Sequence, residues 1–173
     1  QASKEKQDIG GSHVQQDNGA RVEITGSDGS KAVVVAVFDG HGARRGAKFS
    51  QICKNTLEFC LAQEQHFKDR FDANPEETGR QIFSKMHEEC FKHNKSHLEL
   101  LGVDFEERDG LLHAQNIRRI QGGTTATLVF VTDKGMVHCF NVGDSDAWFI
   151  NQQAATQLNG NHSPEELRRA KKR

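Results

Sequence analysis

Apolar and polar residues alternate over residues 20–25 (Ala-Arg-Val-Glu-Ile-Thr), the period-two pattern of a half-buried strand. A Ser27-Asp28-Gly29 turn signal follows, and Lys31 to Phe38 then runs apolar without alternation. A Val-rich run of that length, bounded by turns, predicts a strand covered on both faces. The two strands and the short turn between them read as a hairpin.

From residue 43 to residue 66 the period changes. Phe49, Ile52, Cys53, Thr56, Leu57, Cys60 and Leu61 recur at helical spacing with Lys and Glu elsewhere, which predicts an amphipathic helix. A second helix should begin at Asn74-Pro75, with Asn as cap and Pro at the first helical position. Ile82, Phe83, Met86 and Cys90 form its buried face, the Met and Phe as core residues. Residues 99–121 hold an acidic run from Asp104 to Asp109 and a basic pair, Arg118-Arg119. They read as a long loop with a short helical turn, and their charges as a solvated surface.

Three strands are predicted next, over 124–132, 135–142 and 146–151. Ser163 with Glu166 makes a capping box, and Pro164 opens a helix over 163–173. The order β-β-α-α-β-β-β-α implies an α+β fold, with antiparallel sheets and a helical pair on one side. Helices and strands do not alternate as a doubly wound parallel sheet would require.

Composition narrows the class. The chain has 173 residues, the length of one domain over 1–173, with 1–12 as a loose N-terminal segment. No apolar run approaches the roughly 18 residues of a membrane span. With 23 basic and 24 acidic residues the net charge is -1, so no global field draws the chain to nucleic acid or anionic lipid. Neither partner is expected, and a monomer is. The four cysteines, Cys53, Cys60, Cys90 and Cys139, form no C-x-x-C pair and read as buried thiols acting as small hydrophobes. The first eight residues lack the apolar core of a signal peptide. A cytoplasmic or nuclear location is therefore expected.

Four short segments can carry chemistry. Phe38-Asp39-Gly40-His41-Gly42 ends the buried strand. An Asp followed by glycines that let the backbone turn can present a carboxylate and a carbonyl oxygen together, as hard cations such as magnesium or manganese require. Asp-Gly is also a common turn dipeptide, but the adjacent His41 is more than a turn needs. Gln16-Asp17-Asn18-Gly19 alone reads as a turn, and Gly122-Gly123-Thr124-Thr125-Ala126 as tight backbone packing at the start of a strand. The two carboxylates of Asn141-Val142-Gly143-Asp144-Ser145-Asp146 could approach a metal or simply form a hydrogen-bonded turn. His87, His93 and His97 drift across the faces of their helix and show no ligand spacing.

In order and together, these segments resemble the metal-dependent type 2C (PPM) protein Ser/Thr phosphatases. Val37 to Gly42 is similar to that family's V-F-D-G-H-G signature, Gly123 to Ala126 to its G-[ST]-T-A, and Asn141 to Ser145 to its N-x-G-D-S. Leu158, Asn161 to Pro164 and Glu166 to Arg169 resemble its L-x-x-D-H-x-P…E…R segment, and Gln16-Asp17 sits where it carries an acidic pair. The resemblance implies an antiparallel β-sandwich flanked by helical pairs, incomplete here at the C-terminus. It implies magnesium or manganese as a two-metal cofactor and a phosphoserine or phosphothreonine protein as substrate. Carried over by position, Asp39 would bridge the metals, Gly40 would ligate through its carbonyl, and Asp17 would hold metal-bound waters. Asp144 would lie near a third, weaker metal position, and His41 would be the general acid.

The sequence departs from the family pattern at several points. Ser12 stands where a phosphate-binding Arg is frequent, Asp146 where G-D-S-R has Arg, and Asn161 where D-H-x-P has Asp. The family's last two metal aspartates lie in segments beyond residue 173. A catalytically inactive phosphatase-like binding or regulatory domain is therefore the alternative to the enzyme.

Overall fold

The computed structural model describes residues 15–42, 45–63, 66–108, 111–114 and 122–160. Its elements in chain order are β1 (Asn18–Thr25), β2 (Lys31–Phe38), β3 (Gly40–His41), α1 (Gly46–Gln63), α2 (Phe67–Ala73), α3 (Pro75–Leu100), β4 (Phe105–Arg108), β5 (Leu111–Ala114), β6 (Gly123–Thr124), β7 (Ala126–Thr132), β8 (Val137–Val142), β9 (Trp148–Ile150) and β10 (Ala155–Gln157). Four strands form one antiparallel sheet in the order β1-β2-β7-β8. The pairs β3-β6, β4-β5 and β9-β10 are separate two-stranded ribbons. The α+β class and the antiparallel sheet flanked by helices are as expected.

Register decides which side of the sheet is core. Val34 lies opposite Val22 on β1 and Phe130 on β7, and Ala36 lies opposite Ala20 and Leu128. These side chains share the face that α1, α2 and α3 cover. There they pack with Cys53, Leu57, Leu61, Phe67, Phe71, Ile82 and Met86 into a single cluster. Aromatic rings fill its centre. Phe71 stacks on Phe130 with ring centroids 4.3 Å apart, and Phe140 meets Phe130 edge-on at 5.8 Å. Such pairs add about 0.5–1.5 kcal/mol beyond the burial itself.

Strand β2 was expected to be covered on both faces, and the structure corrects this. Ala32, Val34, Ala36 and Phe38 are buried, whereas Val35 is 42% and Val37 48% exposed. Their neighbour on β7, Val131, is 39% exposed on the same side. Among the described residues the helices lie on one face of the sheet only, and a strand places successive side chains on opposite faces.

The helices follow their sequence signals closely. Asn74 caps α3 by accepting a hydrogen bond from the Glu77 N–H at 3.2 Å, and Pro75 opens the helix. The stripe on α1 buries Phe49, Cys53, Leu57 and Leu61. Helix α2 was not expected. It lacks a side-chain N-cap; Phe67 and Phe71, anchored in the aromatic cluster, hold it to the sheet, and Asp69 accepts from the Ser27 N–H in the β1–β2 turn. The loop expected over 99–121 contains a hairpin instead, with Phe105 opposite Ala114 and Glu107 opposite Leu112. The strand expected over 146–151 is shorter and pairs with β10, which was not expected. The loose segment 1–12, Arg118-Arg119 and the helix over 163–173 lie outside the described residues. No helix among the described residues is long and apolar enough to cross a membrane.

Candidate active site

Strand β2 ends at Phe38, and the chain turns at Asp39 into the two residues of β3. That turn permits only Gly at position 40. A Cβ there would collide with the Gln16 carbonyl oxygen and with the backbone of Gly46 in the first turn of α1. The close approach joins three segments of backbone, one carrying Asp17, one Asp39 and one the start of α1. Ser50, fully buried on α1, strengthens the joint. Its hydroxyl donates to the Gln16 carbonyl and accepts from the Asn18 side-chain amide at 2.9 Å.

Asp39 is exposed at the end of β2, with its backbone clamped by these contacts. Its carboxyl is pushed above the usual carboxylate range, first by partial desolvation, then by the negative charge of Asp17 and a hydrogen bond with it, and then by Asp144. His41 acts in the opposite direction. The fold thus brings Asp17, Asp39, Asp144 and His41 into one electrostatic neighbourhood from three separate stretches of sequence. The crowding of like charge is of the kind a bound cation relieves.

His41 is exposed on β3, opposite Gly123 on β6. A Cβ added to Gly123 would come within 2.9 Å of the imidazole Nε2, so the ring rests directly on the glycine backbone. Gly123 accordingly serves the imidazole as well as strand packing.

Asp144 lies in the loop between β8 and β9, which is held by side-chain hydrogen bonds. Asn141 donates to the Gly143 carbonyl at 3.1 Å and accepts from the Thr127 hydroxyl at 2.7 Å. Asn159 donates to the Ser145 carbonyl at 3.0 Å and accepts from the Ala147 N–H at 2.6 Å. Gly143 has φ of 108°, a left-handed conformation that favours glycine, and a Cβ there would meet the Thr125 methyl at 2.7 Å. Asp146, expected to reverse a charge near the site, accepts from the Gln157 side chain of β10 at 2.8 Å. Ser12 and Asn161 lie outside the described residues.

Sequence reasoning missed the residues that hold the site together. Thr125 and Asn141 stand in segments that alone read as strand packing or a turn, and nothing local marks Thr127 on its strand or Ser50 on its helix. Buried hydroxyls bracketing the acidic turn are legible only once β7 is known to lie beside β2 and β8.

The donors at the site are hard oxygens: the Asp39 and Asp17 carboxylates and the nearby backbone carbonyls. Among the described residues no three of His, Cys, Asp or Glu converge closely enough to hold a metal by side chains alone. The charges of Asp17 and Asp144 both act on Asp39. An oxygen set of two carboxylates completed by carbonyls and waters fits magnesium or manganese, which retain several waters.

Comparison with known proteins gives the family. The family described as protein phosphatase 2C matches residues 3–171. The chain belongs to the protein phosphatase 2C family. No curated protein sequence matches this phosphatase 2C chain at a significant level. Among solved structures it resembles a bacterial serine phosphatase bearing an arginine-to-glutamate substitution, with a TM-score of 0.50 and 17% identity, over 87% of this chain and 57% of that one. The arginine-to-alanine form of a bacterial serine phosphatase gives a TM-score of 0.51 and 16% identity, over 87% of this chain and 56% of that one. At that identity the likeness bears on the fold alone. The phosphatase 2C chain spans little more than half the length of these structures.

Proposed function

We propose that this phosphatase 2C chain contributes to metal-dependent hydrolysis of phosphoserine and phosphothreonine esters on proteins. The observation that carries the reading is the clamped Asp39-Gly40 turn, which packs against the Gln16 segment that carries Asp17 and has His41 next to it. Asp39, Asp17 and the Gly40 carbonyl would hold magnesium or manganese, two ions in the complete site, with Asp144 at a weaker third position. When bound, such ions lower the pKa of coordinated water and neutralise phosphate charge.

The protein's own residues do the rest. The Gly40 turn and the Gln16–Ser50 contact keep Asp17 and Asp39 side by side. His41, exposed and backed by Gly123, is placed to donate a proton to the departing serine or threonine oxygen. A basic leaving oxygen needs that proton as its bond to phosphorus breaks.

The test is hydrolysis of a phosphothreonine peptide by the protein in manganese, comparing wild type with Asp39→Asn. Hydrolysis that disappears in the variant supports the reading, and hydrolysis unchanged by it overturns the assignment of Asp39. A second reading, a silent phosphatase-like domain that binds a phosphoprotein, is favoured by one observation. Asp146 puts a carboxylate, anchored by Gln157, where the family pattern has an arginine. That reading gains if the peptide binds and is not hydrolysed.

A further inference from the structure

Next to the carboxylate site, α1, α3 and the start of β7 enclose a cleft of about 540 Å³. Phe49, Phe83 and Met86 line it, and so do two cysteines, Cys53 and Cys90. Their Sγ atoms lie 3.7 Å apart. That is a hydrogen-bonding distance for thiols and well beyond the roughly 2.05 Å of a disulfide. The four cysteines carry no disulfide. Cys53 is 4% exposed on α1, and Cys90 on α3 is partly exposed. An apolar cleft therefore gives a small molecule access to one thiol, with a second, buried thiol directly behind it.

We propose that Cys53 and Cys90 form a modification site for hydroperoxides, at which oxidation joins α1 to α3 through a reversible disulfide. Each sulfur is carried on one rotatable Cα–Cβ bond, so side-chain rotation can bring the two together.

The order of events follows from the pair itself. The hydrogen bond between the two sulfurs holds Cys90 below the ordinary thiol range and, with burial, holds Cys53 above it. Cys90, the more exposed of the two in the cleft, is the thiolate that attacks. Its sulfur takes one oxygen of hydrogen peroxide as the O–O bond breaks. The departing hydroxide collects the proton Cys90 released and becomes water, and Cys90 is left as a sulfenic acid. The Cys53 sulfur then attacks the Cys90 sulfur. The S–S bond forms, the S–O bond breaks, and the hydroxyl leaves as a second water with the Cys53 proton. Two thiols lose two electrons in all, and one peroxide becomes two waters. A dithiol reductant reverses the linkage by exchange.

The site stands apart from the phosphatase reading and is tested without any activity assay. The reduced chain is treated with a few equivalents of hydrogen peroxide, alkylated, digested and analysed by mass spectrometry. Two of the four thiols should be lost, and a Cys53–Cys90 linked peptide pair should form and disappear with dithiothreitol. The Cys60→Ser/Cys139→Ser double variant should form the same link. Cys53→Ser should instead leave Cys90 as a sulfenic acid that reacts with dimedone, with circular dichroism showing that the variant is folded. The proposal is overturned if Cys53 and Cys90 of the wild type both remain alkylatable after peroxide. It is equally overturned if the links formed involve Cys60 or Cys139, or if dimedone fails to label Cys90 in the folded Cys53→Ser variant.

Discussion

Thr125 grips the backbone of Asp39 from both sides: its N–H donates to the Asp39 carbonyl at 2.9 Å, and its hydroxyl accepts from the Asp39 N–H at 3.2 Å. The same hydroxyl lies 2.6 Å from that of Ser145, the neighbour of Asp144. One side chain at 7% exposure thus connects the acidic turn after β2 to the acidic loop after β8.

Removing that hydroxyl while keeping the shape should loosen the turn without unfolding the sheet. Thr125→Val strands the Asp39 N–H, and one hydrogen bond of about 1 kcal/mol corresponds to an affinity loss of about fivefold. Calorimetric titration with manganese should show weaker binding for Thr125→Val and near-normal binding for Thr125→Ser. Equal affinity in all three proteins would remove Thr125 from the positioning of Asp39.

His41 is assigned the proton donor's role, and substrates differ in how much they need one. The p-nitrophenolate ion leaves unaided, whereas a serine alkoxide does not. His41→Gln should slow phosphopeptide hydrolysis by about 10²–10⁴-fold and p-nitrophenyl phosphate hydrolysis far less. Manganese affinity should be nearly unchanged. An equal loss on both substrates would mean that His41 only packs the turn.

In α3, Gly79 lies under a ring. A Cβ there would sit 2.6 Å from the edge of Phe140. Gly→Ala in a helix ordinarily gains about 1 kcal/mol, but overpacking a filled core costs about 1–3 kcal/mol. Overpacking should win, and Gly79→Ala should melt a few degrees below wild type. Adding Phe140→Leu, which clears the ring, should shrink that cost. A melting temperature raised by Gly79→Ala alone would show that Phe140 yields freely.

Acid should weaken the contact between α2 and the β1–β2 turn. The Ser27 N–H donates to the Asp69 carboxylate at 2.9 Å. Hydrogen bonds from Ser27, and then the charge of His66, hold Asp69 below its ordinary value of 3.8. A carboxyl depressed in the folded state adds stability at pH values above its unfolded pKa, and that contribution is lost as pH falls through the folded pKa. The melting temperature of wild type should therefore fall more steeply below about pH 4 than that of Asp69→Asn. Parallel acid limbs for the two proteins would show that Asp69 does not contribute.

Much of this protein is written locally. The alternation over 20–25, the α1 stripe, the Asn74 cap and the Asp39-Gly40 turn each depend on residues within a few positions of one another, so periodicity and turn chemistry reveal them. The four motifs were legible as segments for the same reason. Helix α2 was not, because its seven residues are held by Phe67 and Phe71 against Phe130, a partner far along the chain. The uncovered face of β2 was hidden too, since an unbroken apolar run does not say which side a helix will cover. Thr125 and Ser50 became meaningful only when β7 lay beside β2 and α1 lay against the Gln16 segment. Their hydrogen-bond partners, 86 and 34 residues away, are chosen by strand order and helix packing. The chemistry of each acidic turn is local, whereas its assembly into one site depends on contacts between distant segments, which only the folded chain supplies.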